Sequence, residues 1–145
     1  MAQKQIAFLF SDSTQADTFK VVLEGKDSKN AFLVFSIMQH NGQQIYQQKI
    51  SGAELIKGNT KLKNEAARMN YLRNEVAYFF DEEHLLEPAV MPDEAPDKNV
   101  PDKAFYNELK STGLNGFSFH TGIETTVYIA WSVKTQTVKV FYKCC

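Results

Sequence analysis

All four prolines of this 145-residue chain fall within one tract, EPAVMPDEAPDKNVPDK, at Pro88, Pro92, Pro96 and Pro101. Proline lacks the backbone N–H and clashes with the preceding helical turn, so the tract can neither continue a helix nor donate regularly to a sheet. It is also long for a connection inside a compact domain. It reads as an extended surface crossover over about residues 87–101, dividing the regular structure into two blocks. Long loops often carry interactions, so Glu87 to Lys103 is a candidate docking segment.

The block before the crossover reads as strands followed by a helix. In DTFKVVLEG, Phe19, Val21 and Leu23 alternate with Lys20, Val22 and Glu24, the period of a half-buried strand. AFLVFSIMQ (Ala31 to Gln39) starts apolar on both faces, which suits a central strand. Asn41-Gly42 is a strong hairpin signal, because both residues tolerate positive φ. The return strand is QQIYQQKI (Gln43 to Ile50), whose glutamines mark a solvated face or an edge. Ser51 and Glu54 form a capping box that starts a short helical turn. Leu62, Ala66, Met69, Leu72, Val76, Phe79 and Phe80 recur at spacings of three and four, predicting an amphipathic helix over about residues 61–80. Asn59 or Thr60 is its expected N-cap.

The second block is helix and then strands. Asp102 is placed to cap KAFYNELKST, and Gly113 with Leu114 suits a left-handed close, predicting a helix over about residues 102–112. GFSFH, ETTVYIAWSV and TVKVFYKC follow as strands, the last two joined by the polar turn KTQT. Alternation puts Val127, Ile129, Trp131 and Val133 on one face.

Helices segregated from hairpins imply an α+β class with a mainly antiparallel sheet, here of about 6–7 strands. One long amphipathic helix and a shorter second helix are expected to pack on it. The first and last strand groups must share that sheet, or two packed sheets, to cover each other's apolar faces. The expected organisation is a single domain over residues 1–145, with strands in 5–50 and 116–144.

A formal net charge of −1 argues against nucleic acid or an anionic membrane recognised through bulk electrostatics. The basic residues Lys57, Lys61 and Lys63 form a short run that precedes acids and reads as a solvated face. No stretch approaches the ~20 apolar residues of a transmembrane helix, and IAFLF (Ile6 to Phe10) is too short for a signal-peptide core. The chain is therefore expected to be periplasmic or cell-surface if an export signal was removed, and cytoplasmic otherwise.

No phosphate-binding glycine loop and no G-x-S-x-G elbow occurs. His40 opens the hairpin turn, where a polar ring is expected to be solvated. His84 sits in DEEHLLEP beside Asp81, Glu82, Glu83 and Glu87, a composition that suits either a divalent cation or a charged, solvated face. His120 and Glu124 flank a Gly122 turn and could act as an acid/base pair. None of these tracts has a diagnostic spacing. No catalytic, cofactor-binding or metal residue is assigned, and no cofactor is expected.

The chain ends VKVFYKCC. Adjacent terminal cysteines resemble the prenylated ending of small GTPases, but the chain lacks their nucleotide-binding loop and flexible tail. Strict alternation puts Cys144 with Val138, Val140 and Tyr142, and Cys145 with the lysine face. Cys144 is thus expected to be buried and Cys145 exposed. No disulfide is expected, because one between sequence neighbours closes a strained ring.

FKVVLEGKDSKNAFLVFSIMQHNGQQIYQQKISGAELI resembles the opening hairpins of small exported, lipoprotein-like proteins of unknown function from Bacteroidetes. TTVYIAWSVKTQTVKVFYKCC resembles their terminal hairpin. The resemblance implies a periplasmic or surface-attached protein without enzymatic activity, and it transfers no functional residue. The leading expectation is a non-catalytic binding or structural module, exported, with a protein as the expected kind of partner. The alternative is a cytosolic protein-interaction factor of immunity or regulatory type, using the acidic crossover or the DEEH tract against a basic patch. The third is a hydrolase or thiol enzyme built on His120 with Glu124 or Cys145.

Overall fold

A computed structural model describes residues 2–144. Among them, β1 (Gln3–Phe8), β2 (Asp17–Glu24), β3 (Phe32–Met38) and β4 (Gln44–Ser51) form one antiparallel meander, in the order β1-β2-β3-β4. The short helices α1 (Gly52–Ile56) and α2 (Glu65–Ala77) carry the chain toward a second antiparallel sheet, and a third, α3 (Lys103–Thr112), lies in sequence between the first two strands of that sheet. That sheet comprises β5 (Leu85–Leu86), β6 (Gly116–His120), β7 (Thr126–Ser132) and β8 (Thr137–Cys144), in the order β5-β6-β7-β8. No described helix is long and apolar enough to cross a membrane.

The protein is α+β with antiparallel sheets, but the expected single sheet of 6–7 strands with one long helix is overturned. The first sheet closes through consecutive pairings before the crossover; β6, β7 and β8 pair consecutively after it, and β5 joins β6 from the near side of the crossover, so neither strand group needs the other's sheet to pair its strands. The two sheets meet through side chains. Phe19, Phe35 and Ile37 of the first pack against Phe117, Phe119 and Ile129 of the second, all buried. Phe35 lies at the centre, with the rings of Phe19, Tyr46, Phe79, Phe80, Phe117 and Phe119 at centroid distances between 5.2 and 6.0 Å.

β7 is buried or half-buried on both faces, and this creates a third layer. Val127, Ile129 and Trp131 enter the core between the sheets. Val133, grouped with them by alternation, lies past the strand end and is exposed. Ala130 points the other way. It packs with Phe141 against Phe105, Tyr106 and Leu109 of α3 and against Val90 and Val100 of the crossover. The proline tract is thus bound to the molecule as a cover over the outer face of the second sheet.

The expected helix over 61–80 is also corrected. α2 begins only at Glu65, where the Asn64 carboxamide oxygen accepts the Ala67 N–H at 2.8 Å. Asn59 instead accepts the Lys61 N–H in the turn before it. Only Leu72 and Val76 of α2 are buried. Phe79 and Phe80 follow the helix and enter the aromatic core. Their spacing extended the apolar period beyond the true helix end.

In β8 the strict alternation fails. Tyr128 pairs with Tyr142 but Ile129 with Val140, so Phe141 is the extra residue of a bulge. Val138 and Val140 face the core between the sheets, whereas Phe141 and Tyr142 face the crossover. Cys144, paired with Thr126, follows Tyr142 and not the valines, and is half-buried. It is disulfide-bonded, against the expectation that no disulfide forms. Cys145, expected to be exposed, lies outside the described residues.

Candidate functional site

The sequence-derived candidates separate in space. His120 ends β6, and its Nδ1 lies 3.0 Å from the Thr126 hydroxyl; Thr126, and not Glu124, is its hydrogen-bond partner. Glu124 is exposed on the loop beyond. The β5–β6 pairing instead brings His84 edge-on to His120, with ring centroids 5.8 Å apart. His84 Nδ1 donates to the Ser118 carbonyl at 3.0 Å, while its Nε2 lies 3.4 Å from the Glu83 carboxylate. A groove of about 330 Å³ opens beside His120, with Tyr71, Glu75 and Ile123 in its walls. Burial, and then the neighbouring Glu75 carboxylate, hold the Tyr71 phenol above its ordinary range.

Asp81, Glu82 and Glu83 are exposed around a 3-10 turn, and His84 turns inward from them. Among the described residues no group of three or more His, Cys, Asp or Glu converges to hold a metal. His40 is not freely solvated. Its backbone N–H and Nδ1 both approach Oδ1 of the fully buried Asp17, at 2.9 and 3.2 Å, while Asp17 Oδ2 accepts the Ser11 N–H at 2.8 Å. This satisfied carboxylate ties two loops together, as burial of a charge requires.

A more convergent arrangement lies on the other side of the second sheet. Phe105, Tyr106 and Leu109 form the buried face of α3. The helix is fixed at its start by Asp102, whose carboxylate accepts the Phe105 N–H at 3.0 Å and the Lys139 ammonium at 2.7 Å. Lys139 lies 5.0 Å from the Phe105 ring centroid, so it clamps α3 to β8. The Lys139 hydrogen bond and the backbone N–H of Phe105 hold the Asp102 carboxyl below its ordinary range.

Next to this clamp, register sets Tyr128 of β7 opposite Tyr142 of β8, and the bulge adds Phe141 to the same face. The Tyr128 ring is near perpendicular to both neighbours, with centroids 5.2 Å from Tyr142 and 6.0 Å from Phe141. The crossover brings two carboxylates to these rings. Tyr106 Oη donates to Glu94 at 3.2 Å, and Tyr142 Oη donates to Asp97 at 3.0 Å. Asn99 Nδ2 in turn donates to Tyr142 Oη at 3.3 Å. Glu94, Asp97 and the aromatic rings of Tyr106, Tyr128, Phe141 and Tyr142 line a groove of about 500 Å³, within the range of small-molecule sites. No Lys, Arg or His lines it. Burial, followed by the Glu94 and Asp97 carboxylates and by Tyr142, pushes the Tyr106 phenol up to about 12.

Sequence inspection marked the crossover but missed this groove. Its aromatic walls come from α3, β7 and β8, and only their packing brings them together. The one local signal was the pair Glu94 and Asp97, spaced to face one way along a proline-constrained tract. No protein-family model, no curated protein and no solved structure matches this chain.

Proposed function

We propose that this protein is a non-catalytic binding module whose ligand enters the tyrosine-lined groove beneath the proline crossover. One observation carries the reading: tyrosines from three separate elements converge with two crossover carboxylates around a 500 Å³ opening. A connector needs no such convergence. Proton-transfer chemistry is disfavoured there, because a phenol held near 12 stays protonated at neutral pH and serves as a hydrogen-bond donor. The His120 alternative is supported by its groove and by His84, but its hydrogen-bond partner is a hydroxyl. A hydroxyl can orient an imidazole but, unlike a carboxylate, does not stabilise the imidazolium formed when it takes up a proton.

The exported assignment is retained as part of the proposal. Its support is the resemblance of the opening hairpins and the terminal hairpin to those of small exported proteins. A partner protein inserting a side chain is compatible with the same groove.

The test is a protein-observed NMR screen with mixtures of cationic, anionic and neutral small molecules. Ligand-dependent shifts should gather at Leu86, Asp97, Tyr128 and Tyr142. Shifts confined to Tyr71, Glu75 and His120, or none with any mixture, overturn the reading.

A further inference from the structure

We infer that the ligand group of this groove is an organic ammonium, either a free alkylamine or quaternary amine or the side chain of a lysine. The inference rests on the groove being the ligand site. It follows from what the groove offers once its internal hydrogen bonds are counted. The phenol protons of Tyr106 and Tyr142 are already given to Glu94 and Asp97. The other oxygens of those carboxylates take the Met91 and Asn99 backbone N–H groups, at 3.0 and 2.8 Å. What remains among the lining side chains is the second lone pair of each carboxylate oxygen, the ring faces and the neutral Tyr128 hydroxyl. An anion would find acceptors and no Lys, Arg or His among the lining residues. A hard metal ion wants a shell of oxygens, and aromatic walls cannot supply one.

An alkylammonium fits both surfaces at once. Its charge is satisfied by carboxylates and by the negative faces of aromatic rings, while its carbon body packs against apolar walls. The near-perpendicular Tyr128 and Tyr142 rings form a corner, the arrangement in which a rounded cation meets two walls together. The fold already contains this chemistry one step away. The Lys139 ammonium sits 5.0 Å from the Phe105 ring centroid and 2.7 Å from the Asp102 carboxylate. The groove repeats that grouping of ring, carboxylate and open space, with the ammonium to be supplied by the ligand. Its volume of about 500 Å³ accommodates a cation carrying a body of several carbons.

The test is a titration of the full chain, followed by tyrosine ring resonances. The probes are tetramethylammonium, choline, 3,3-dimethyl-1-butanol (the neutral isostere of choline) and Nα-acetyl-lysine methylamide. Choline should saturate shifts at Tyr128 and Tyr142, and the isostere should bind roughly tenfold more weakly or worse. Asp97→Asn and, separately, Glu94→Gln should each weaken choline binding several-fold; both replace exposed acids, so at least one is expected to fold normally. Saturation by choline alone identifies a free small cation, and saturation by the lysine derivative identifies a side chain; either supports the ammonium assignment. Equal binding of choline and the isostere overturns it, as does occupation of the groove only by a neutral or anionic molecule. In those outcomes the groove stands as a binding site. Ligands that bind only elsewhere overturn both the ammonium assignment and the site.

Discussion

Gly116→Ala tests whether the crossover is built onto the second sheet or merely lies near it. A Cβ at Gly116 would stand 2.8 Å from Ala89 Cβ, 3.2 Å from Ala89 Cα and 3.0 Å from Phe141 Cε1. Carbon atoms prefer ~3.5–4.0 Å, so the methyl overlaps its neighbours by several tenths of an ångström. Neither neighbour yields easily. Ala89 N–H is bonded to the Leu114 carbonyl at 2.9 Å, and Phe141 is wedged under α3 in the outer core. Overpacking of this kind costs about 1–3 kcal/mol. Removing the extra freedom of glycine from the unfolded chain returns about 0.4–1 kcal/mol. The net expectation is a loss of about 1–2 kcal/mol, or a fall in melting temperature of roughly 3–6 °C for a chain of this size. Gly122→Ala is the control, since a Cβ there meets nothing within 4 Å. Urea unfolding of both variants measures the difference. A Gly116→Ala midpoint at or above that of the parent would refute the close packing of crossover on β6, and with it the geometry of the groove.

Phe35→Ala removes the centre of the aromatic core between the sheets and should cost about 3–5 kcal/mol in urea unfolding; a loss under about 1 kcal/mol contradicts the packing of the two sheets. Asp102→Ala removes both the cap of α3 and the partner of Lys139, and should cost about 1–2 kcal/mol, whereas Asp102→Asn keeps an N-cap and should cost less; equal losses contradict a capping role. The Asp102 carboxyl is held low, so its contribution is present above the ordinary carboxylate range and is lost as pH falls through its folded value. Tyr106 and Tyr46 work in the opposite sense. Their phenols are pushed to about 12 against an ordinary 10.0, so the stability they supply is complete below pH 10 and is lost as pH rises toward 12. Unfolding free energy measured from pH 9 to pH 12 should therefore fall, and Tyr106→Phe should flatten the slope in part; an unchanged slope contradicts the burial of that phenol.

Local chemistry made some of this structure legible. Asp102 and Gly113 bracket α3 through a side-chain cap and a left-handed closing residue, and both signals act within a few residues. Ser51 caps α1 in the same way. The arrangement of strands was not local. Alternation says that β2 and β7 each have a buried face, but not whether those faces belong to one sheet or two. The bulge in β8 was hidden because Val140, Phe141 and Tyr142 are all apolar or aromatic, so a slip of one residue leaves no polar residue where an apolar one was expected. The same degeneracy stretched the helix, since Phe79 and Phe80 fall at helical spacing after Val76 while serving a core beyond the helix. The groove was least legible. Tyr106, Tyr128 and Tyr142 are individually ordinary, and their meaning comes from register, the bulge and the path of the crossover.

The most direct measurement is a set of intermolecular NOEs between the methyl protons of tetramethylammonium, which stays charged at every pH, and the aromatic protons of the protein. The groove beneath the crossover predicts NOEs to the rings of Tyr106, Tyr128 and Tyr142, lost on adding excess choline. NOEs to Tyr71 and His120 instead, or none at saturating concentration, would contradict the assignment of this groove as the site of an organic cation.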